Sequence, residues 1–356
     1  MPMPAARKGS RRPPAPRDDA ARGQGRRTRL ADVARAAGVS TMTVVRVMRD
    51  PGLVAAHTRE RVEQVLAQTG YTPDLTASAL ASQRTRLVAA IVPVLTNSLI
   101  AEIMQGLTDV LAENGRQMLL GVSGFSAATE ESLVRTFLSR RVDAIYLTGV
   151  IHTPATRQML ASAGIPVVEG GNLTDDPIDM VVGYSNVDAA RTVTRYLLRQ
   201  GYESVAYIGA HPEDNDRARD RRTGYEAALK AARRRVQADL CIETTLDVDA
   251  GATAMGALLD RPPGPRAVFC SADALAVGAL CECQRRGLRV PQDVAVAGFD
   301  DIVIAAQMVP ALTTIRVPRY EIGWKAGKAL CDRLEGRPVR RKVVDAGYVL
   351  VPRASA

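Results

Sequence analysis

Near the start of the chain, apolar residues recur at helical spacing in three short segments. The first, LADVARAAG, places its apolar side chains on one face and stops at Gly38. A second helix can begin with Ser40 as its N-cap and run to about Arg49, where the breaker DPG follows. A third is expected from near Thr58 to Gly70. Three short helices in close succession predict one small domain.

From Leu87 onward, the pattern changes to apolar runs that alternate with amphipathic helical segments. The runs predicted as buried strands are LVAAIVPVL, QMLLGV, DAIYLTGV, IPVVEGG, DMVVGYS, SVAYIGA, AVFCSA and DVAVAGFDD. The segments predicted as crossover helices are IAEIMQGLTDVLAENG, ESLVRTFLSRRV, AARTVTRYLLRQG, GYEAALKAARRRV and ALAVGALCECQRRG. This alternation predicts an α/β fold of parallel sheets covered by helices, in two lobes because one sheet of that many strands would be large. Ligands of such folds bind at the carboxyl ends of strands.

The net charge of the chain indicates which kind of molecule it binds. The chain has 47 Lys and Arg against 38 Asp and Glu, a net charge of +9 and an isoelectric point near 9.6, which favours a polyanionic partner over an acidic-substrate enzyme. Residues 1–29 hold nine of these cations, opposed only by Asp18 and Asp19, with five prolines interspersed. Such a segment cannot bury apolar area, so residues 1–27 are expected to form a disordered basic arm.

The cysteines indicate a reducing compartment, and the hydropathy indicates a chain without a signal segment or a membrane span. The five cysteines lie in aliphatic surroundings without CxxC spacing, which predicts buried thiols and no metal site. The charged N-terminus is not followed by an apolar signal segment, and no run approaches the roughly 20 apolar residues of a membrane span. We therefore expect a cytoplasmic protein without membrane contact and without a bound cofactor.

The second helix carries chemistry suited to DNA. A helix, a glycine turn and a second helix form a helix-turn-helix unit, whose second helix enters the major groove. Val44 and Val47 can face the core, and the outward residues are then Thr41, Met42, Val45, Arg46 and Arg49. Arginine can pair bidentately with guanine, and Met or Val can contact a thymine methyl. An ordinary solvated helical hairpin is the alternative, and the basic arm favours DNA.

The segment LADVARAAGVSTMTVVRVM, followed by TRERVEQVLAQTGYTPDLTASALAS, resembles the LacI/GalR family of bacterial transcription regulators. The resemblance continues through YIGA, RRTGYEAAL, VFCSADALAVGAL, VPQDVAVAGFDD and LTTIRVP, and covers residues 28 to about 352. Within the family, VSTMTVVR, LTNSLIAEI, HTPATRQML and IPVVE are most similar to gluconate-utilisation repressors.

The resemblance implies a domain order. It implies a basic arm at 1–27, a three-helix helix-turn-helix DNA-binding headpiece at 28–73, and a hinge helix with its linker at 74–86. Residues 87–356 would form a two-lobed core of the periplasmic-binding-protein type, which binds the effector and joins two subunits into a homodimer.

The resemblance also assigns DNA contacts. Base contacts are implied for Thr41, Met42 and Arg46, and phosphate contacts for Ser40, Thr43 and Arg29. Two residues depart from the family pattern. Val45 replaces the usual serine, which removes a hydroxyl near the backbone, and Asp74 replaces the usual asparagine, which puts an acid near DNA phosphates.

The hinge segment DLTASALAS, residues 74–82, is too short to be a stable helix alone in water, so its folding would need DNA and its dimer mate. Leu80 matches the family leucine that wedges into the minor groove and kinks the operator. The alternative is a linker residue buried against the core.

The family ligand lies between the lobes, and nine residues match its surroundings. They are Asn97, Leu99 and Ile100 after the first strand, Glu169 and Asn172 after IPVV, the pair Arg221 and Arg222, Asp273 after AVFCSA, and Asp300 after AVAGF. The loop after the first strand lacks the stacking aromatics of purine-binding relatives, which argues against a nucleobase. Arg221 can clamp a carboxylate with two parallel hydrogen bonds, and Asp300 can accept from hydroxyls. The alternatives are a run of solvent-exposed charges for the two arginines, a turn formed by Asp300 and Asp301, and, for Asp273, a helix cap or a residue that steadies a lobe.

Together these features predict a ligand-responsive repressor that binds double-stranded operator DNA and is released by a gluconate-like sugar acid. A regulator that responds to a neutral sugar is an alternative. A sugar-binding transport component is opposed by the headpiece and by the missing signal peptide. An enzyme is not expected, because no pair of a nucleophile and a general base can be recognised around the three histidines. The chain also lacks the GxSxG and GxxxxGK[ST] motifs.

Overall fold

The computed structural model describes residues 28–71, 84–95, 98–211, 213 and 215–356. The chain divides into two compact units, Met1–Ala81 and Ser82–Ala356. The expected basic arm at 1–27 and the expected hinge helix at 74–82 lie outside the described residues, as do Leu80 and Asn97.

The first unit contains three helices around a small apolar core. They are α1 (Leu30–Ala36), α2 (Thr41–Arg49) and α3 (Ala56–Thr69). Its buried apolar residues are Val33, Ala34, Ala37, Val44, Val47 and Val62. Ser40 caps α2, because its hydroxyl accepts the backbone N–H of Thr43 at 3.2 Å. The three predicted helices are confirmed, and α3 begins two residues earlier than expected.

The second unit is built on two parallel sheets, which we call the six-stranded and four-stranded lobes. The six-stranded order is β11 (Val343–Asp345), β5 (Met180–Gly183), β4 (Val167–Gly170), β3 (Ala144–Thr148), β1 (Leu87–Val92) and β2 (Gln117–Val122). The four-stranded order is β7 (Cys241–Thr244), β6 (Ala206–Ala210), β8 (Ala267–Cys270) and β9 (Ala295–Ala297). All strand pairs within both sheets are parallel. The predicted two-lobed α/β core is confirmed.

Helices cover both faces of each sheet. The six-stranded sheet is covered by α4 (Ser98–Glu113), α5 (Ala127–Ser139), α6 (Pro154–Ala163) and α11 (Arg319–Leu334). The four-stranded sheet is covered by α7 (Asn186–Arg199), α8 (Asp216–Ala231), α9 (Val248–Leu259) and α10 (Asp273–Arg285). Along β1, Val88 and Ala90 pack in one cluster and Ala89 and Ile91 in another. Burial on both faces explains why this strand is a continuous apolar run rather than an alternating one.

Helices α4 and α11 pack closely because glycines lie at their crossing. A Cβ on Gly106 would overlap the carbonyl oxygen of Tyr320, and a Cβ on Gly323 would overlap that of Ile103. Only glycine permits this backbone approach.

Several elements were not predicted. They are α6, β7, α9, α11, the added strand β11, and an antiparallel pair of β10 (Thr314–Arg316) and β12 (Val349–Val351). The last strands are three residues long, too short for a periodicity to show. The chain crosses between the lobes three times, after β5, β10 and β11, so the lobes are joined by three connections.

Candidate functional site

The first candidate site is the exposed face of α2. Val44 and Val47 are buried against the helical core, whereas Met42 is 67% exposed and Thr41 and Arg46 are also exposed. The predicted division of this helix into an inner and an outer face is therefore present. Its amphipathic spacing brings a hydroxyl, a thioether and a guanidinium to the outer face, which suits base edges in a major groove.

The predicted phosphate-contacting residues have partners within the first unit. The hydroxyls of Ser40 and Thr43 are 2.9 Å apart, so each already engages the other beside the cap of α2. Arg29 is the exposed N-cap residue of α1, and its backbone N–H donates to Asp32 at 3.1 Å. The contacts of all these residues with bases and phosphates stay predictions.

The second candidate site is a cavity between the two lobes, at the carboxyl ends of strands from both sheets. Its empty volume is about 500 Å³, counting the part that opens to solvent. The residues that line it are Pro93, Val94, Leu99, Ile100, Phe125, Ala210, Asn215, Arg217, Ala218, Arg221, Leu246, Ser271, Ala272 and Asp300. Four of the predicted residues are among them: Leu99, Ile100, Arg221 and Asp300.

Arg221 is held by a buried set of acceptors. Its Nε donates to Asn186 Oδ1 at 2.9 Å, and Nη1 donates to the carbonyl oxygen of Ser271 at 2.6 Å. Nη2 donates to the Tyr184 hydroxyl at 3.0 Å and, more weakly, to Asp300 Oδ1 at 3.4 Å. Its guanidinium carbon lies 3.8 Å from the centre of the Phe299 ring.

These contacts limit the N–H donors that Arg221 can offer to a ligand. Guanidinium has five N–H donors, and four of them have protein acceptors within the described residues. A two-bond clamp on a ligand carboxylate would therefore require Arg221 to leave one of these partners, most readily Asp300. Burial raises the pKa of Asp300, although the charges of Arg221, Arg319 and Arg217 oppose the rise.

Arg217 lines the same cavity and was missed by the sequence reasoning. Its Nη1 donates to Asp216 Oδ1 at 2.9 Å, and no other protein acceptor contacts it within the described residues. The missed signal was spacing: Arg217 and Arg221 are four residues apart on α8, so they share a helix face. Burial acts to raise the pKa of Asp216, but the charge of Arg217 and the Val150 N–H together hold it below its usual value.

Arg222, which follows Arg221 directly, does not line the cavity. Its Nε donates to Glu226 at 2.6 Å, and its guanidinium lies 5.1 Å from the Tyr207 ring and 5.7 Å from the Tyr225 ring. Consecutive residues of a helix point about 100° apart, so the two arginines cannot share one site.

Glu169 and Asn172 are buried but are not part of the cavity lining. Glu169 accepts the backbone N–H of Ile178 at 2.6 Å and lies 3.3 Å from Nε2 of His152. Asn172 joins the lobes, because its amide donates to Asp216 at 3.3 Å and to Asp220 at 2.7 Å.

Asp273 is also buried and outside the lining. It accepts the Thr314 hydroxyl at 2.6 Å and the backbone N–H of Ile302 at 2.9 Å. Burial, helped by the charge of Asp300, raises the pKa of Asp273 to about 7. The Asp273 side chain does not cap α10, and its contacts with Thr314 and Ile302 suit the alternative of a residue that steadies the lobe.

Phe125 supplies an aromatic ring that the sequence reasoning did not anticipate. It lies in the loop after β2, with a left-handed φ of 61°, and lines the cavity together with the aliphatic Leu99 and Ile100. The argument against a nucleobase rested on the absence of aromatics after β1. That loop does lack aromatic residues, but the cavity has an aromatic ring from another loop, so the exclusion of a nucleobase stays a prediction.

Two further properties bear on function. Within the described ranges, no group of three or more His, Cys, Asp and Glu side chains could hold a metal ion. Among the same residues, no helix is long and apolar enough to cross a membrane.

His152 is enclosed between Glu130 at 2.7 Å and Glu169 at 3.3 Å. Burial acts to lower its pKa, but these two carboxylates raise the pKa of His152 to about 9.

Comparison with known proteins gives a consistent result. Residues 29–74 match the family model for bacterial regulatory proteins of the lacI family, and residues 194–356 match the model for a periplasmic binding protein-like domain. The chain is 34% identical over 326 residues to the HTH-type transcriptional regulator GntR of Escherichia coli strain K12. That alignment covers 92% of this chain and 98% of the relative.

Two solved structures have the same architecture. A LacI family transcriptional regulator from Silicibacter pomeroyi superposes with a TM-score of 0.85 at 31% identity, covering 92% of this chain and 99% of that one. The transcriptional regulator CelR in complex with cellobiose has a TM-score of 0.68 at 31% identity, covering 93% and 100%.

Proposed function

The chain belongs to the lacI family of bacterial regulatory proteins and is a DNA-binding transcriptional regulator, and we propose that it is a repressor that a sugar acid releases from its operator. The sugar acid would be gluconate or a phosphorylated gluconate. The observation that carries this proposal is the pair Arg217 and Arg221, two guanidiniums on one helix face beside the carboxylate of Asp300.

The two arginines suit different parts of such a ligand. Arg217 has a single protein partner among the described residues, so its remaining N–H donors can bind a carboxylate or phosphate bidentately. Four of the five N–H donors of Arg221 already have protein acceptors, so Arg221 is better suited to holding Asp300 in place for a ligand hydroxyl. We therefore assign the anion to Arg217 and the polyol to Asp300.

The same contacts suggest how the ligand would act on DNA binding. Asp216, the partner of Arg217, also accepts the Val150 N–H of the six-stranded lobe at 2.9 Å. An anion that draws Arg217 away from Asp216 would change a contact between the lobes. A ligand shifts an equilibrium only by its differential affinity for two states, and such coupling is typically about 1–3 kcal/mol, or roughly 5- to 150-fold in operator affinity.

Operator titration and calorimetry with gluconate, 6-phosphogluconate, a neutral hexose and a purine nucleoside would test the assignment. We expect the acids alone to bind and to weaken operator binding. Arg217→Gln should remove the response to the acids, and because it also removes the contact with Asp216, any change in operator affinity without ligand should be towards the affinity of the ligand-bound protein. Arg222→Gln is the matched control, since it removes a neighbouring arginine that does not line the cavity, and its response should equal that of the unaltered protein.

A regulator that responds to a neutral sugar is the second candidate. It is favoured by Asp300 and Asn215, which suit hydroxyls, and by the similarity to CelR, whose structure holds cellobiose. A response to the hexose alone, undiminished in Arg217→Gln, would establish this candidate and reject the sugar acid. A response to the purine nucleoside alone would reject both and would give the Phe125 ring a stacking role.

We also propose that the protein binds a pseudo-palindromic operator as a homodimer. Val303, Ile304 and Val309, in the segment between β9 and β10, are 78%, 50% and 91% exposed, and a second subunit could bury these apolar side chains. Sedimentation should give a dimer, and footprinting should give two major-groove half-sites. A monomer that protects one asymmetric half-site at saturation would contradict this.

A further inference from the structure

The amino-terminal edge of the six-stranded sheet is rich in cations. Because every strand of this sheet is parallel, the residues that precede the strands gather at one edge although they are far apart in sequence. We call six of them the basic edge: Arg86 before β1, Arg140 and Arg141 before β3, and Arg340, Arg341 and Lys342 before β11. All six side chains are exposed.

The carboxylates around the basic edge are already engaged. Asp143 accepts the backbone N–H groups of Thr85 and Arg86, each at 2.9 Å, and pairs with Arg116 at 3.2 Å. Asp179 pairs with Arg333 at 3.0 Å. Within the described part of the chain, none of the six basic-edge side chains forms an ion pair with a carboxylate. Among the described residues, Glu113 at the end of α4 and Glu335 directly after α11 are exposed carboxylates at the ends of helices that lead to this edge, and Glu335 pairs with Arg337.

The basic edge has the dimensions of a nucleic-acid backbone. In the sheet order, β11 lies four strand positions from β1, so at about 4.8 Å per strand the cations span about 19 Å. One strand of B-DNA rises about 3.4 Å along the helix axis per nucleotide, so this distance corresponds to about six base pairs along the axis.

The basic edge is also where the chain enters this lobe. Thr85, two residues before β1, donates its hydroxyl to the carbonyl oxygen of Arg141 at 2.9 Å, so the incoming chain is fastened at this edge. Twelve residues, 72–83, separate Tyr71 of the first unit from Arg84, and the chain between these two residues can span at most about 45 Å. Because the two units are joined by a linker of this length, DNA bound by the first unit has a raised effective concentration for cations of the second.

We propose that the basic edge binds the phosphate backbone of the DNA that the helix-turn-helix unit holds, as a second contact that is independent of sequence. This inference rests on the DNA-binding class of the protein and is independent of the identity of the effector.

A purely structural role accounts for only part of the basic edge. Arg140 is the C-cap residue of α5, where a cation stabilises the negative end of the helix dipole. The cations before β11 have no such explanation. α11 ends at Leu334, and Arg340 lies six residues farther along the chain.

The test compares two triple variants of the full-length protein with equal loss of charge. Arg340→Gln/Arg341→Gln/Lys342→Gln neutralises half of the basic edge. The matched control, Lys230→Gln/Arg233→Gln/Arg235→Gln, neutralises three exposed cations of the four-stranded lobe that likewise form no ion pair within the described residues. Affinity for operator and for random duplex DNA is measured between 50 and 200 mM KCl, and thermal unfolding shows that each variant is folded.

For the basic-edge variant, we expect the slope of log K against log salt to become shallower by about 0.9 for each lost phosphate contact, which is about 2.7 for each subunit and about 5.4 for the homodimer. The affinity advantage of the unaltered protein should then shrink about 40-fold between 50 and 200 mM salt if one subunit makes these contacts, and about 1,800-fold if both do. The loss should be equal on operator and random DNA, and the control should keep the original slope. A second variant, Arg86→Gln/Arg140→Gln/Arg141→Gln, should behave like the first.

Three results would overturn the proposal. An unchanged slope in both folded basic-edge variants would mean that these cations do not contact phosphates. An equal change in the control would mean that net charge, rather than this edge, sets the salt dependence. A loss confined to operator DNA would indicate base readout instead of backbone contact.

Discussion

Replacing Arg221 with methionine should lower the free energy of unfolding by about 3–5 kcal/mol, the range for breaking a buried ion pair by removing one partner. Methionine retains apolar packing on Phe299, so the loss is mainly electrostatic. It leaves Asp300, which is 3% exposed, as a buried carboxylate without its nearest cation. The Tyr184 hydroxyl and the carbonyl oxygen of Ser271 also lose their donor.

A second substitution should recover part of this loss. Asp300→Asn removes the unpaired charge, so the double variant should be more stable than the sum of the single effects predicts, by about 1–3 kcal/mol. The deficit of Arg221→Met should also shrink as the pH falls. The pKa of Asp300 is raised in the folded protein, so protonation favours the folded state and removes the buried charge.

Urea unfolding followed by circular dichroism at pH 7 and pH 5 measures each of these quantities. Arg222→Met is the control, because its partner Glu226 has a side chain that is 45% exposed, and the expected loss is below about 1 kcal/mol. The reasoning fails if Arg221→Met costs no more than Arg222→Met, or if the effects of Arg221→Met and Asp300→Asn are additive.

Four further predictions concern separate parts of the protein. The raised pKa of Asp273 implies that stability falls as pH rises from about 4 to about 7, by up to about 1.4 kcal/mol per pH unit, and Asp273→Asn should flatten this slope in unfolding curves measured across that range. His152 should contribute stability that is complete below pH 6.5 and lost as pH rises through about 9, and the same measurement on His152→Gln should show that loss removed. Gly323→Ala should destabilise the protein by about 1–3 kcal/mol in urea unfolding, because the added Cβ forces α4 and α11 apart, whereas an unchanged midpoint would refute the close packing. Arg46→Ala should weaken operator binding by about 1–3 kcal/mol in titrations and spare random DNA, whereas the exposed Arg61→Ala on α3 should do neither.

The helices of the first unit could be predicted from the sequence because the patterns that indicate them are local. The apolar spacing identified Val44 and Val47 as the inner face of α2, and both are buried. Ser40 was recognised as a cap from its position before the apolar repeat, and its hydroxyl accepts the Thr43 N–H. Such signals lie within one or two helical turns, so no tertiary information is needed to interpret them.

Only part of the cavity lining could be predicted from the sequence. The resemblance led to Arg221 and Asp300, which line the cavity, and also to Arg222 and Asp273, which do not. Nothing local distinguishes Arg221 from Arg222 in the run RARDRR, since both are arginines on the same helix. Their roles separate only when α8 packs, because one side then meets the cavity and another meets Glu226 and Tyr207.

By itself, the sequence determined the three helices of the first unit, the alternation of strands and helices, and the regulator class. Each of these can be recognised from apolar periodicity or from motifs of consecutive residues. Tertiary structure alone decided which distant segments meet. β11 joins β5 across about 160 residues of chain, and Arg86, Arg141 and Lys342 reach one edge only because parallel strands all begin on the same side. The ring of Phe125 enters the cavity for the same reason, through a loop whose neighbours in space are not its neighbours in sequence.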